Sequence, residues 1–145
     1  MTPAYSFRSY RAIATQTAPR GQLVVMLYEG AIRFLESALG GFKHDDPKEF
    51  NETINNNLIR AQEIIRELDS SLDLDQGGEL AATLRRLYNY MDDQLTISNG
   101  RKVPEGIIDA IHRLSILRDA WREMLARQGG GSREQESFAT LAATS

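Results

Sequence analysis

LRRLYNYMDDQLTISN, residues 84–99, is the stretch on which the fold turns. Leu84, Leu87, Met91 and Leu95 recur at helical spacing, with Leu80 one turn earlier, and make one core stripe. Tyr90 and Ile97 fall outside that stripe. At about 100° of rotation per residue they lie together roughly 100 to 120° round the helix, the arrangement of a helix with a second partner.

Outward from this segment the same period recurs in three more places. Upstream, SSLDLDQGG at 70–78 interrupts it, so the third helix is expected from about Glu79 to Asn99, with Asn99 and Gly100 closing it. Before the interruption, Asp46 can cap, Pro47 suits a first turn and Glu49 completes a capping box. Phe50, Ile54, Leu58, Ala61, Ile65, Leu68 and Leu72 then recur every three or four residues as a long amphipathic helix. A first helix is expected from near Pro19, capped around Thr17, to about Leu39, where Gly40 and Gly41 end it. Its core stripe is Leu23, Leu27, Ala31, Phe34 and Ala38. Downstream, Pro104 opens a fourth helix whose stripe is Ile107, Ile111, Leu114, Trp121 and Leu125, ending near Gln128.

Four helices of ~20 residues joined by short loops predict an all-α fold, an antiparallel four-helix bundle. Residues 1–18 read as an N-terminal arm, 19–128 as the helical domain and 129–145 as a flexible tail beginning with three glycines. In the tail, Phe138 and Leu141 can form one weak amphipathic turn if something packs against it.

The chain has 145 residues and 41% apolar content, enough for one domain with a real core. Its 17 basic and 20 acidic residues leave a net charge of -3, which argues against nucleic acid as a partner. Without cysteine there is neither a disulfide framework nor a thiolate metal site, a composition suited to a reducing cytoplasm. MTPAYSFRSYR at the start lacks an apolar signal core, and no run approaches the ~18 apolar residues of a spanning helix. A cytoplasmic chain with no direct membrane insertion is expected.

Chemistry-bearing residues are scattered. His44 sits beside Asp45 and Asp46, and His112 follows Asp109 by three residues, spacings that demand no metal. Glu52, Glu63, Glu67, Glu79, Asp92 and Asp93 read as surface charge. Gly77 and Gly78 precede a helix, but no strand leads into them and no phosphate-loop lysine follows. There is no Glu-x-x-His pair of the carboxylate-bridged metal bundles. No catalytic residue, cofactor or metal is expected.

Apolar surface exceeds what one core needs. Val24, Tyr28, Ile32, Leu35 and Leu39 widen the first helix's apolar arc by more than a quarter-turn, and Ile108 and Ile116 lie off the densest face of the fourth. Two readings account for this. Helix packing or a homodimer covers the surplus, giving a self-associating structural bundle, or long grooves accept amphipathic helices from another chain. Rim tyrosines Tyr28, Tyr88 and Tyr90 suit such a groove, with Tyr88 equally placed for the core edge. Val24, Tyr28, Ile32, Leu35, Leu39, Tyr90, Ile97 and Ile108 are therefore the candidate partner-binding residues. Tyr5, Phe7 and Tyr10 of the arm can cover the groove. Gln62 and the asparagines at 51, 55, 56 and 57 make the second helix amide-rich, a solvated face from which one or two can bond a partner backbone. Trp121 reads as a packing residue among Leu114, Leu117 and Leu125.

Three segments carry a family likeness. LVVMLYEGAIRFLESA at 23–38, with Met26, Leu27, Tyr28, Gly30 and Ala31, resembles the first-helix motif of the FliS family of flagellin export chaperones. Through 61–95, Leu68, Leu72, Gly77, Gly78, Leu80, Leu84, Leu87, Tyr88, Tyr90, Met91 and Leu95 match in order, and Ser98-Asn99 resembles the family's Ala-Asn ending. LSILRDAW at 114–121 is the third match, so the likeness spans roughly residues 5–124. The resemblance implies an antiparallel bundle that binds the C-terminal segment of flagellin and prevents premature polymerisation before type III export. It also implies contact between the loaded chaperone and the flagellar export gate, and no enzymatic step. Tyr10 looks like the family's arm tyrosine, which covers part of the groove before flagellin binds, although Arg8 and Arg11 depart from the pattern.

Overall fold

A computed structural model describes residues 20–127; the arm, Thr17, Pro19 and the tail lie outside the described residues. Four helices follow one another: α1 (Arg20–Gly41), α2 (Pro47–Ser70), α3 (Leu74–Arg101) and α4 (Glu105–Arg127). Each of α1 and α3 packs on both α2 and α4, so α1 and α3 face each other across one diagonal of an up-and-down antiparallel bundle. The all-α bundle expected from the four apolar stripes is the fold observed.

Local chemistry sets the joins. Asp46 caps α2 by accepting from the Glu49 backbone N–H at 3.0 Å, with Pro47 in the first turn, as the capping pattern predicts. Phe42 and Phe50 close that corner edge to face, centroids 5.4 Å apart. α3 starts earlier than Glu79 because Asp73 caps a preliminary turn through the N–H groups of Asp75 and Gln76. Gly78, at φ 54° and ψ -129°, then breaks the helical path before Glu79 resumes it, a conformation that glycine alone adopts cheaply. At its other end α3 runs past Asn99 and Gly100 to Arg101, and Lys102 takes the left-handed position at φ 53°. The Lys102 ammonium compensates by donating to the Asn99 carbonyl at 2.8 Å and to its side-chain oxygen.

α2 and α3 are aligned by polar pairs at seven-residue steps on both helices. Asn99 Nδ2 donates to Asn55 Oδ1 at 2.8 Å; Gln62 Nε2 donates to Asp92 Oδ1 and Thr96 Oγ1, each at 2.9 Å; Arg85 Nε donates to Asp69 Oδ1 at 3.1 Å. A shared seven-residue step is the geometry of shallow, coiled-coil-like packing. In this register Leu80 falls beyond the last turn of α2. It is 41% exposed, which corrects its placement in the core stripe. Leu84, Met91 and Leu95 are buried as expected, and Leu87 packs half-buried against them.

Apart from Gln62 and Ser98 at its edges, the core is apolar except for a polar node that joins α1, α3 and α4. Tyr28 of α1 and Tyr88 of α3, both essentially inaccessible, share a hydrogen bond of 2.5 Å across the diagonal, and the Trp121 indole of α4 bonds the Tyr28 hydroxyl. Burial pushes the Tyr28 phenol up to about 12, held back by its bonds to Tyr88 and Trp121; burial likewise drives Tyr88 well above 10, with Tyr28 adding to it. Where α3 approaches α4, Gly106 N–H donates to the buried Ser98 Oγ at 3.0 Å. A Cβ on Gly106 would stand 2.7 Å from the Gln94 carbonyl oxygen.

Two outcomes follow in urea unfolding. Tyr28→Phe strands both the Tyr88 hydroxyl and the Trp121 N–H, so it should cost about 2 to 3 kcal/mol against about 1 to 2 for Tyr88→Phe, and the double variant should fall short of their sum. Additive losses would refute the shared node. Because the folded phenols titrate above the unfolded value near 10, their contribution is complete below pH 10 and drains away as pH rises toward 12. That alkaline loss should shrink in the double variant. Separately, Gly106→Ala should destabilise by about 1 to 3 kcal/mol, since the obstruction is backbone as well as side chain; an unchanged melting temperature would contradict the close approach.

Candidate partner-binding surface

The inward set of α3 is Ala81, Leu84, Tyr88, Met91, Leu95 and Ser98. Tyr90 and Ile97, seven residues apart and hence on one line of the helix, point away from it and are 45% and 43% exposed. α4 contributes Ile108 and Ile116, each more than half exposed. Isolated surface isoleucines are ordinary, but Tyr90 and Ile97 on one line leave apolar area that the core face of α3 does not use.

A cation is fixed on this surface. The Arg113 guanidinium lies over the Tyr90 ring, 5.0 Å from its centroid, and Asp109 one turn earlier on α4 accepts from Arg113 Nε at 2.8 Å. That hydrogen bond is the main reason the guanidinium is held even more firmly protonated than usual. Ring and cation offer apolar area beside a donor fork, which suits an amphipathic segment carrying carboxylates.

The expected second face of α1 requires correction. Val24, Tyr28, Ile32 and Leu35 are all buried, and Leu39 is half-buried against the core. The reason is placement: α1 is flanked by α2 and α4 and reaches α3 across the centre, so it needs an apolar arc wide enough for three neighbours. Its surplus is core. Tyr88, ambiguous from its spacing, is core as well. Tyr5, Phe7 and Tyr10 fall outside the described residues.

Two features were not anticipated. The amides assigned to a solvated face include Asn55 and Gln62, which form the α2–α3 seam; the recurrence of Asn55, Gln62 and Asp69 at seven-residue steps was the available signal. A cleft of about 320 Å³ also opens between the start of α1 and the end of α4, lined by Gln22, Val25, Met26, Arg122 and Leu125. An ion pair between Arg122 and Glu29 ties the two helices beside it.

Other candidates for chemistry stay apart. The His44 imidazole lies 3.4 Å from the Glu49 carboxylate, and His112 is exposed. Among the described residues no three His, Asp or Glu side chains gather into a metal-holding group, and no helix is long and apolar enough to cross a membrane.

Comparison with known proteins points to one family. Residues 1–128 match the family described as "Flagellar protein FliS". The flagellar secretion chaperone FliS of Bacillus subtilis (strain 168) is 31% identical over 119 residues, covering 82% of this chain and 85% of that protein. Its counterpart in Salmonella typhimurium is 30% identical over 129 residues, covering 86% and 93%, and that of Vibrio cholerae 27% over 123 residues, covering 82% and 88%. The chain belongs to the FliS family, a family of flagellar secretion chaperones and not of enzymes.

Proposed function

We propose that this FliS-family member works in the bacterial cytoplasm as an export chaperone that binds the C-terminal segment of flagellin. There it keeps that segment from polymerising until delivery to the flagellar type III export apparatus. The observation that carries the reading is the line of Tyr90 and Ile97 on α3, exposed on a helix whose core face is already complete. Ile108 on α4 and the half-buried Leu39 on α1 remain candidate contacts. Val24, Tyr28, Ile32 and Leu35 are instead core residues.

The physical mechanism is protection by occupancy. A flagellin terminus that associates through apolar helical faces in the filament would bury those faces on the chaperone first. At ~25 cal/mol per Å² of apolar area the gross gain is many kcal/mol, and ordering a disordered client offsets much of it. Such an interface is broad yet releasable, as delivery to an export gate requires. In this scheme Tyr5, Phe7 and Tyr10 cover apolar surface until the client arrives, and the loaded chaperone is the form that meets the gate.

Self-association is the second reading, favoured by Ile108 and Ile116, whose exposure of 54% and 55% would be relieved across a two-fold axis. Light scattering with and without a flagellin C-terminal peptide separates the two. A peptide-binding monomer supports the chaperone, and a stable dimer that ignores the peptide supports the structural bundle.

Isotope-labelled protein titrated with that peptide should show saturable amide shifts on α3 around Tyr90 and Ile97. Tyr90→Asp should weaken the peptide at least about tenfold, or ~1.4 kcal/mol, while changing unfolding stability by less than about 1 kcal/mol. Equal affinity for variant and parent would remove Tyr90 from the interface.

A further inference from the structure

The exposed apolar line on α3 is bracketed by charge. Arg86 lies four residues before Tyr90, and Arg101 lies four residues after Ile97. At about 100° of rotation per residue all four fall within roughly 60° of one another on the outer face of the helix. Both arginines are exposed. The order is symmetric: a cation, one turn to the ring, two turns to the isoleucine, one turn to the second cation. End to end the bracket spans about 22 Å of helix.

These two cations differ from their neighbours. Arg85, Arg113, Arg118, Arg122 and Arg127 of α3 and α4 each meet a carboxylate of this chain. Arg86 and Arg101 meet no carboxylate among the described residues. Arg86 donates instead to the Thr83 hydroxyl one turn back, at 3.1 Å, which steadies the guanidinium without neutralising it. Of the acidic residues between the two arginines, Asp92 is turned to α2, where it accepts from Gln62 and Arg66. Asp93 lies about 40 to 60° off the apolar line. Glu79 shares the line but stands seven residues before Arg86, outside the bracket. In a chain of net charge -3, this face is therefore locally basic.

The chemistry of a matching occupant follows. A guanidinium fork pairs with a carboxylate through parallel hydrogen bonds, and charge at the rim of an apolar contact steers encounter and fixes register. A helix laid along α3 with two apolar residues over Tyr90 and Ile97 brings its side chains one turn further out, at either end, past Arg86 and Arg101. Because the bracket is symmetric, such a helix fits in either direction. A second copy of this chain does not fit. Across a two-fold axis the antiparallel lines would set Arg86 against Arg101 twice, like charge on like. A polyanion is a poor match too, since the apolar stretch between the two cations interrupts any continuous basic track. Arg113, beside Tyr90, is already offset by Asp109, so selection by charge falls to the two ends.

On the reading of this line as the client site, on which the inference rests, we propose that Arg86 and Arg101 select the client by charge: the segment covering Tyr90 and Ile97 is an acidic amphipathic helix whose carboxylates stand one turn outside its apolar pair and meet the two guanidinium groups.

The test titrates full-length protein and its Arg86→Gln/Arg101→Gln variant with the flagellin C-terminal peptide. The same titrations are made with a peptide in which every Asp and Glu is replaced by Asn and Gln. At ~50 mM salt the double variant should bind the unaltered peptide about tenfold more weakly, chiefly through slower association, and the deficit should shrink at ~500 mM salt. The neutralised peptide should bind parent and variant alike. Neither arginine holds the fold, so the melting temperature should stay within about 3 °C of the parent. Equal affinity of parent and variant for the unaltered peptide, with Tyr90→Asp still weakening it, would overturn charge selection and leave the client site standing. No binding of the peptide to the parent would overturn the client reading and charge selection together. Equal affinity for a scrambled peptide of the same composition would mean unspecific attraction and would also overturn the proposal.

Discussion

The hydroxyl pair of Tyr28 and Tyr88 is the constraint from which the outer surface follows. Two phenols buried in an apolar core must satisfy each other, and the Trp121 indole completes a polar node joining α1, α3 and α4. Fixing Tyr88 inward fixes the rotation of α3. Tyr90 is then turned about 200° away and Ile97 about 180°, so neither can enter the core. The exposed line on α3 is therefore a geometric consequence of the node, and rotating α3 to hide Tyr90 would break the buried Tyr28–Tyr88 hydrogen bond.

Rotation leaves sliding undetermined, and the seam between α2 and α3 supplies that remaining constraint. An apolar stripe repeating every three or four residues can be displaced by one turn at modest cost, because leucine against leucine reads alike in either register. Asn55, Gln62 and Asp69 against Asn99, Asp92 and Arg85 do not tolerate that displacement, since each would lose its complement. Gln62 is the costliest to misplace because it is only 6% exposed. Polar pairs at a seam contribute little net stability, but a misregistered bundle would lose all three pairs and leave the buried Gln62 amide unsatisfied.

What the sequence made legible is what a helix states about itself. The α2 cap, the four stripes and the exposure of Tyr90, Ile97 and Ile108 are local patterns, and the observed structure has them. Quantities that depend on neighbours were not legible. The wide arc of α1 is the same pattern whether a helix has three partners or two partners and a free groove, so Val24, Tyr28, Ile32 and Leu35 read as surplus until the ring order of the helices is known. Leu80 fits its stripe and fails only because α2 ends too soon to cover it. Lys102 could not be anticipated at a left-handed position, because its compensation comes from Asn99 in the folded turn.

The bundle is also uneven in a way that bears on the proposed activity. α1 and α2 share the most extensive interface, while α3 and α4 share the least extensive of the four. That last interface leans on particular contacts: the close approach at Gly106 with its Ser98 bond, and the Arg113 stack on Tyr90. If a client segment lies across Tyr90 and Ile97, it adds apolar packing where the fold has least of its own and disturbs none of the α1–α2 core. Exposed apolar area is then tolerable in the unloaded chain because the stabilising burial is concentrated on the other side. A surface kept open for a partner is cheapest on the helices that contribute least to holding the fold together.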